Sequence, residues 1–413
     1  MSILIRNVLL NNATTDVLIE GNEFTGISPG INAQADTVID GTNKAIMPPF
    51  SNAHTHAAMT LMRGFADDML LEPWLKEKIW PTENNLTADA CYWGTRLACL
   101  EMIRSGTTFL NDMYWFCEET ARAVQDSGIR AAIATPFIDL GIREKAEEMK
   151  RETKKHLERI NHDRITKVLG PHAIYTVSEE NLRFIADLAE QEGLHIHIHL
   201  SETEHEVEEC LKKTGKRPVH YLDACGLLGP RTIAAHAVWL DDEEIALLKE
   251  RDVGIAACPV SNMKLSVKGM FPYQKCKDLR IGIGTDGAAS NNSLSMFDEV
   301  KTLALAQKMY NGPDVLPAHT AYKLATSGGA SLFGIESGIE EGKPADCILI
   351  DLNMPQMTPC HDITSHMVYA ADPSCVDTTI CDGRILMRDR IIEDEERILE
   401  KAGEQARNIL GGA

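Results

Sequence analysis

AIMPPFSNAHTHAAMT, residues 45–60, is the stretch from which the fold is read. A short apolar run meets Pro48 and Pro49, and His54 and His56 follow, one residue apart. The run at 45–50 predicts a strand, with the histidine pair just past its end. Extended chain repeats every two residues, so both imidazoles project to one side. Alone, an H-x-H pair is a weak sign; its meaning depends on what other segments bring to the same place.

Working outward, seven further β-rich runs follow at 107–112, 130–138, 167–172, 194–200, 232–239, 254–259 and 281–287. Helical stretches separate them. SEENLRFIADLAEQEG (178–193) has Ser178 as N-cap and Leu182, Ile185, Leu188 and Ala189 on one face. DDEEIALLKERD (241–252) carries acids in its first turn. Eight strands alternating with helices predict an α/β fold of the (β/α)8 TIM type. A doubly wound open sheet competes, but no glycine-rich phosphate turn follows an early strand.

Both ends break this rhythm. Residues 1–47 read as strands and turns. ADCILIDLN (345–353) and TTICDGRILMRD (378–389), with a tight Asp382-Gly383 turn, also read as β, and a helix follows at about 393–409. The expected organisation is a small β-sandwich domain built from both termini, 1–47 and 345–413, flanking a barrel at 48–344.

The chain has 41 basic and 61 acidic side chains, a net charge of −20, which argues against a nucleic-acid partner or an anionic lipid surface. MSILIRNVLL reads as a strand, not a leader peptide, and no apolar run approaches the ~20 residues that span a bilayer. Eleven cysteines without a C-x-x-C pair read as reduced, buried thiols. Together these predict a cytoplasmic protein with no membrane contact.

In a parallel barrel, functional side chains gather at the carboxyl ends of the strands. His54 and His56, His172, His199 with Glu202, His236 and Asp286 all fall there. A single buried histidine is more often structural than a ligand; five strand ends each carrying a His or Asp favour a metal. Three imidazoles from His54, His56 and His199, the Asp286 carboxylate and a water suit Zn²⁺, with Fe²⁺ or Mn²⁺ as substitutes. In HIHIH, His195 and His197 are expected to pack or to support the ligands. One such ion generates hydroxide near neutral pH. Glu202 is placed to move its proton, and His236 to orient or deprotonate the same water. Glu202 reads equally as a first-turn acid of the next helix.

The chain resembles the amidohydrolase superfamily, and within it the 5-methylthioadenosine/S-adenosylhomocysteine deaminases, including archaeal-type 5′-deoxyadenosine deaminases. The resemblance covers nearly the whole chain. It rests on NAHTHAAMTLMRGFADDMLLEPWLKEKIWPTE (52–83), SGTTFLNDMY (105–114), GPHAIYT (170–176), IHLSET (198–203), GTDGAASNNSLSMFDE (284–299) and SGIEEGKPADCILID (337–351). It implies that His54, His56, His199 and Asp286 bind one metal, and that Asp286 also contacts the attacking water. It implies that Glu83 takes the ribose hydroxyls, His172 contacts the nucleoside and Glu202 protonates N1 while C6 is attacked. Binuclear relatives bridge two metals with a modified lysine at the end of the fourth strand. Here that place holds His172, with Lys167 at the opposite end, so one metal is expected. Relatives that hold an amino-acid tail use arginines beyond the third strand. Arg143 matches one, but Pro136 stands at the other, shifting the expected preference toward 5′-deoxyadenosine or methylthioadenosine.

The expected activity is zinc-dependent hydrolytic deamination of 5′-modified adenosines (5′-deoxyadenosine, 5′-methylthioadenosine, S-adenosylhomocysteine, adenosine) to inosines and ammonia. It would serve salvage of S-adenosylmethionine by-products, in a homo-oligomer. The alternatives are an s-triazine chlorohydrolase, a guanine or cytosine deaminase, or a barrel scaffold without chemistry. The cytidine-deaminase type of zinc site does not fit, because H-x-E and P-C-x-x-C are missing and Cys258-Pro259 has the reverse order.

Overall fold

The computed structural model describes residues 2–411. Five strands open the chain: β1 (Ser2–Leu10), β2 (Ala13–Glu20), β3 (Glu23–Ser28), β4 (Thr37–Asp40) and β5 (Lys44–Met47). Eight more form a closed, all-parallel barrel: β6 (Phe50–Thr55), β7 (Thr107–Met113), β8 (Arg130–Phe137), β9 (Ile165–Pro171), β10 (His195–Leu200), β11 (Thr232–His236), β12 (Gly254–Ala257) and β13 (Arg280–Ile283). β14 (Cys347–Asp351), β15 (Val376–Cys381) and β16 (Arg384–Met387) then return to the first five.

The TIM-type barrel and the separate terminal sheet are therefore as expected, with one shift at the opening stretch. Residues 45–47 are not the first barrel strand. They lie in β5, antiparallel to β14 and bridged to β1 at Leu9. Pro48 and Pro49 have no N–H to extend that ladder, so pairing stops there and restarts at Phe50 on the barrel. His54 consequently lies within β6, and His56 just beyond it. The terminal sheet is one ladder, β16-β15-β14-β5-β1-β2-β3, with β4 sharing the β1 edge that also meets β5.

The barrel closes where β13 meets β6, through Ile283 opposite Asn52. Side chains extend that short seam: Asn52 Nδ2 donates to Thr285 Oγ1 (2.7 Å), and Thr285 N donates to Asn52 Oδ1 (3.0 Å). Gly284 lies so close to His54 that a Cβ would sit 2.6 Å from the His54 backbone nitrogen. Asp286 N then donates to His54 O (3.0 Å). On its other edge β6 gains a residue relative to β7 between Asn52 and Thr55, and Asn111 Nδ2 satisfies the freed Ala53 carbonyl (3.0 Å). A bulge of this kind re-aims the side chain it carries, here His54.

Helices cover the barrel. Asp242–Glu250 starts in a capping box of Asp241 and Glu244. Glu179–Glu192 follows Ser178, whose hydroxyl donates to Asp139 Oδ2 (2.9 Å) and does not cap the helix. Ala53, Phe109, Val168, Ile233 and Ala256 of the strands share a core with Leu332 and Phe333. Leu332 packs on Gly254 and Gly282, near the amino ends of their strands. At that same end Arg130 pairs with Asp346 and Asp382, Arg164 Nη2 with Asp382 Oδ2 (2.7 Å), and Asp382 N donates to Asp346 Oδ1 (2.6 Å). Asp382 and Gly383 form the positive-φ turn of the β15–β16 hairpin. All eleven cysteines are free, and only Cys360 is exposed. Among the described residues, no helix is long and apolar enough to cross a membrane.

Candidate metal centre and substrate cavity

The seam delivers His54 and Asp286 to one point at the barrel mouth, and His56 and His199 join them. Asp286 Oδ1 lies 3.4 Å from His54 Nε2 and 3.2 Å from His56 Nε2, and His199 Nε2 lies 3.4 Å from His56 Nε2. The opposite ring nitrogens are committed to acceptors: His56 Nδ1 to Met113 O (2.6 Å) and His199 Nδ1 to His172 O (2.7 Å). Carbonyls only accept, so each Nδ1 carries a proton and donates, and Nε2 is left as the nitrogen that can bind. His54 Nε2 is buried without a hydrogen-bond partner. Its Nδ1 sits 2.7 Å from His197 Nε2, so His197 supports a ligand and is itself no member of the set.

Donors about 2.0–2.1 Å from a tetrahedral ion stand about 3.4 Å apart. The three separations observed are close to that edge, and the His54, His56 and His199 nitrogens all lie within 4.8 Å of one another, so the residues fit a single divalent cation. His54, His236 and Cys258 form a second possible group. It has no carboxylate, and burial holds the Cys258 thiol well above its ordinary pKa, which disfavours the thiolate a metal needs.

Burial pushes Asp286 toward protonation, but the adjacent His54 and His56 rings outweigh it and hold the carboxyl well below its usual range. Its Oδ2 is occupied by Ser261 Oγ (2.5 Å) and Ser290 Oγ (2.9 Å), leaving Oδ1 to the histidines. Burial lowers His54 to about 4; at His56 the same desolvation is overcome by Asp286, which raises it to about 9. Desolvation and then the Asp286 charge push Glu202 up to about 8. A carboxyl so placed keeps its proton near neutrality and can donate it. Glu206 accepts from Ser201 N and Glu202 N (2.9 Å each) and so holds the turn that presents Glu202.

The rim backbone is strained. Ser201, His236, Ala237 and Asp286, none of them glycine, have φ of 49°, 69°, 52° and 62°. Left-handed residues of this kind persist only where surrounding bonds impose them.

Beyond this centre opens a cavity that is partly open to solvent. His56, His172, His199, Glu202, His236, Asp286 and Glu83 all line it. Glu83 is brought there by the segment 71–83, which includes a π-helical turn at Trp74–Ile79. Burial raises its pKa, and Trp115 Nε1 donates to Oε2 (3.3 Å). His172 Nδ1 lies 2.9 Å from Thr176 Oγ1, and burial lowers the ring to about 3. The remaining wall is mostly apolar and aromatic, including Trp74, Trp80, Tyr175, Pro136, Ile138 and Leu265.

Arg143 lies apart from these residues. It is exposed at the first position of the helix Arg143–Arg159 and does not line the cavity. A residue at a helix start needs no buried partner, and its guanidinium stays solvated. Among the described residues no Lys or Arg lines the cavity. Sequence reading also passed over Ser261, Asn262, Ser290, Glu206 and the apolar wall. Ser261 and Asn262 follow directly on the β-like run at 254–259, and Ser290 is one turn beyond Asp286; position was their only signal.

A closed parallel barrel with three imidazoles and a carboxylate converging at its mouth defines a metal-dependent hydrolase. The chain belongs to the amidohydrolase family, whose sequence profile matches residues 45–386. It is 48% identical over 99% of its length to a 5′-deoxyadenosine deaminase from Methanoregula boonei, of which it covers 95%. It is 45% identical over 96% to a 5-methylthioadenosine/S-adenosylhomocysteine deaminase 1 from Archaeoglobus fulgidus, again covering 95%. The crystal structure of an adenosine deaminase from Xanthomonas campestris with bound zinc superposes with a TM-score of 0.93 at 33% identity, over 99% of this chain and 98% of that one. The protein is accordingly a metal-dependent hydrolytic deaminase.

Proposed function

We propose that this enzyme deaminates 5′-modified adenosines at C6, with zinc held by His54, His56, His199 and Asp286. One observation carries the reading: the same cavity holds the metal set, Glu202 with its raised pKa, and the buried Glu83 carboxylate. The bound ion supplies Lewis acidity, lowering the pKa of a water to about 7. Glu202 starts with its proton, gives it to the ring nitrogen N1 as the water oxygen adds to C6, and takes one proton back from that water. The second water proton leaves with the amino group as the C–N bond breaks, giving an inosine and ammonia. Glu83 accepts from both hydroxyls of the ribose diol. His172 packs beside the base, and His236 contacts the attacking oxygen.

Relatives named for 5′-deoxyadenosine and for methylthioadenosine or S-adenosylhomocysteine support the nucleoside class. The cavity narrows it. An amino-acid carboxylate would meet Pro136 and Ile138 with no cation among the lining residues, so 5′-deoxyadenosine and 5′-methylthioadenosine are the preferred substrates. By-product salvage, a cytoplasmic setting and self-assembly belong to the same reading.

The test is a deamination screen of the zinc enzyme with adenosine, 5′-deoxyadenosine, 5′-methylthioadenosine and S-adenosylhomocysteine, followed as loss of adenine absorbance and release of ammonia. Turnover of the first three above the fourth is expected. Activity confined to guanine, cytosine or a chlorotriazine would replace the nucleoside reading, and activity unchanged by chelation would remove the metal.

A further inference from the structure

The helix Pro259–Lys264 aims two consecutive side chains at the rim. Ser261 takes Asp286 Oδ2, and Asn262 Nδ2 lies 2.9 Å from His236 Nδ1. Its start is held by Glu299, a fully buried acid that accepts from Val260 N (3.2 Å) and from Asn291 Nδ2 (2.5 Å). Asn291 Nδ2 in turn donates to Thr285 O (2.7 Å), so one carboxylate ties this helix to the seam.

The Asn262 amide faces the ring with its nitrogen, which can only donate, so in this amide orientation His236 Nδ1 accepts. In a neutral imidazole the other nitrogen then carries the proton. His236 is buried and is among the residues that line the cavity, and with Nδ1 engaged Nε2 is the ring nitrogen left for a group bound there. The groups facing it are Glu202, whose Oε1 is 3.8 Å from Nδ1, and the rings of His54 and His199 at centroid distances of 5.3 and 5.4 Å.

We infer that Asn262 is a positioning residue that fixes His236 as the Nε2–H tautomer, making His236 a hydrogen-bond donor to the attacking oxygen and not its base. An N–H already protonated at Nε2 cannot take a proton from water. The proton therefore goes to Glu202 once that carboxyl has given its own to N1, and His236 keeps its proton through the reaction while its N–H steadies charge growing on oxygen. The role assigned to the oxygen rests on the proposed function. The tautomer does not.

The tautomer is read directly by nitrogen NMR of the zinc-loaded protein with labelled histidine, His236 being assigned by loss of its signals in His236→Gln. A non-protonated Nδ1 and a protonated Nε2 are expected; a proton on Nδ1 would overturn the inference whatever the substrate proves to be. Two variants then separate positioning from simple packing. Asn262→Asp keeps the shape but offers only acceptors, so it should invert the tautomer and lower kcat about 10²-fold with KM little changed. Asn262→Leu removes the bond without imposing the wrong tautomer and should lose less. If Leu is the more damaging of the two, or if Asp inverts nothing, Asn262 is only a packing residue.

Discussion

The two ends of the barrel bury polar groups to similar depth and treat them oppositely. At the amino end Arg130, Arg164, Asp346 and Asp382 satisfy one another, binding barrel to terminal sheet. At the carboxyl end His54 Nε2 has no partner, two Nε2 atoms face each other at 3.4 Å, and four non-glycine residues have positive φ. The base is complete without a ligand, since buried charges are tolerated when fully paired. The mouth is complete only with one. Unpaired lone pairs packed this closely cost stability that a cation recovers on binding, so the contrast separates the part that holds the fold from the part that works.

The largest expected effect would break the contrast at the mouth alone. Glu202→Gln should lower kcat by about 10³-fold, within the range of lost general acid–base catalysis, while zinc content and melting temperature stay unchanged. Activity near the parent value would remove the proton-transfer assignment. The matching change at the base is Asp346→Ala, which leaves Arg130 short of a partner and should cost about 3 kcal/mol in denaturant unfolding, with kcat per folded molecule preserved. Should kcat fall as far as stability does, the two ends are coupled. Next comes Glu83→Gln, expected to reduce kcat/KM for 5′-deoxyadenosine by roughly 10- to 100-fold, the worth of a hydrogen bond to a charged group, with metal content intact. The smallest effect is in pH dependence. Glu202 must hold a proton to donate it, so activity should decline as pH rises through about 8, and the residual rate of Glu202→Gln should show no such limb.

The barrel was legible because its eight strands are short β-rich runs with helical segments between them, five of them ending in a His or Asp able to do chemistry. The misplaced first strand shows the limit. An apolar run at 45–47 and the segment 50–55 flank two prolines, and only distant pairing partners, Ile348 for Met47 and Ile283 for Asn52, tell which sheet each joins. The metal set stood out because His and Asp are scarce at such positions. Ser261 and Asn262 did not, because neutral side chains acquire meaning only from what they touch. The Arg130–Asp346 pair spans 216 residues and was invisible for the same reason. Arg143 is the opposite case: a charged residue stands out in sequence, and here it is exposed at a helix start and does not line the cavity.

Asn52 and Thr285 lie 233 residues apart and are the stitches of a seam that few backbone bonds close. On the proposed ligand set, an ion gripping His54 and Asp286 would be a clasp as well as a catalyst. A growing chain possesses that clasp only after its last barrel strand has emerged, so cation capture comes late in biogenesis, and stripping the ion should loosen the cylinder first along this one line.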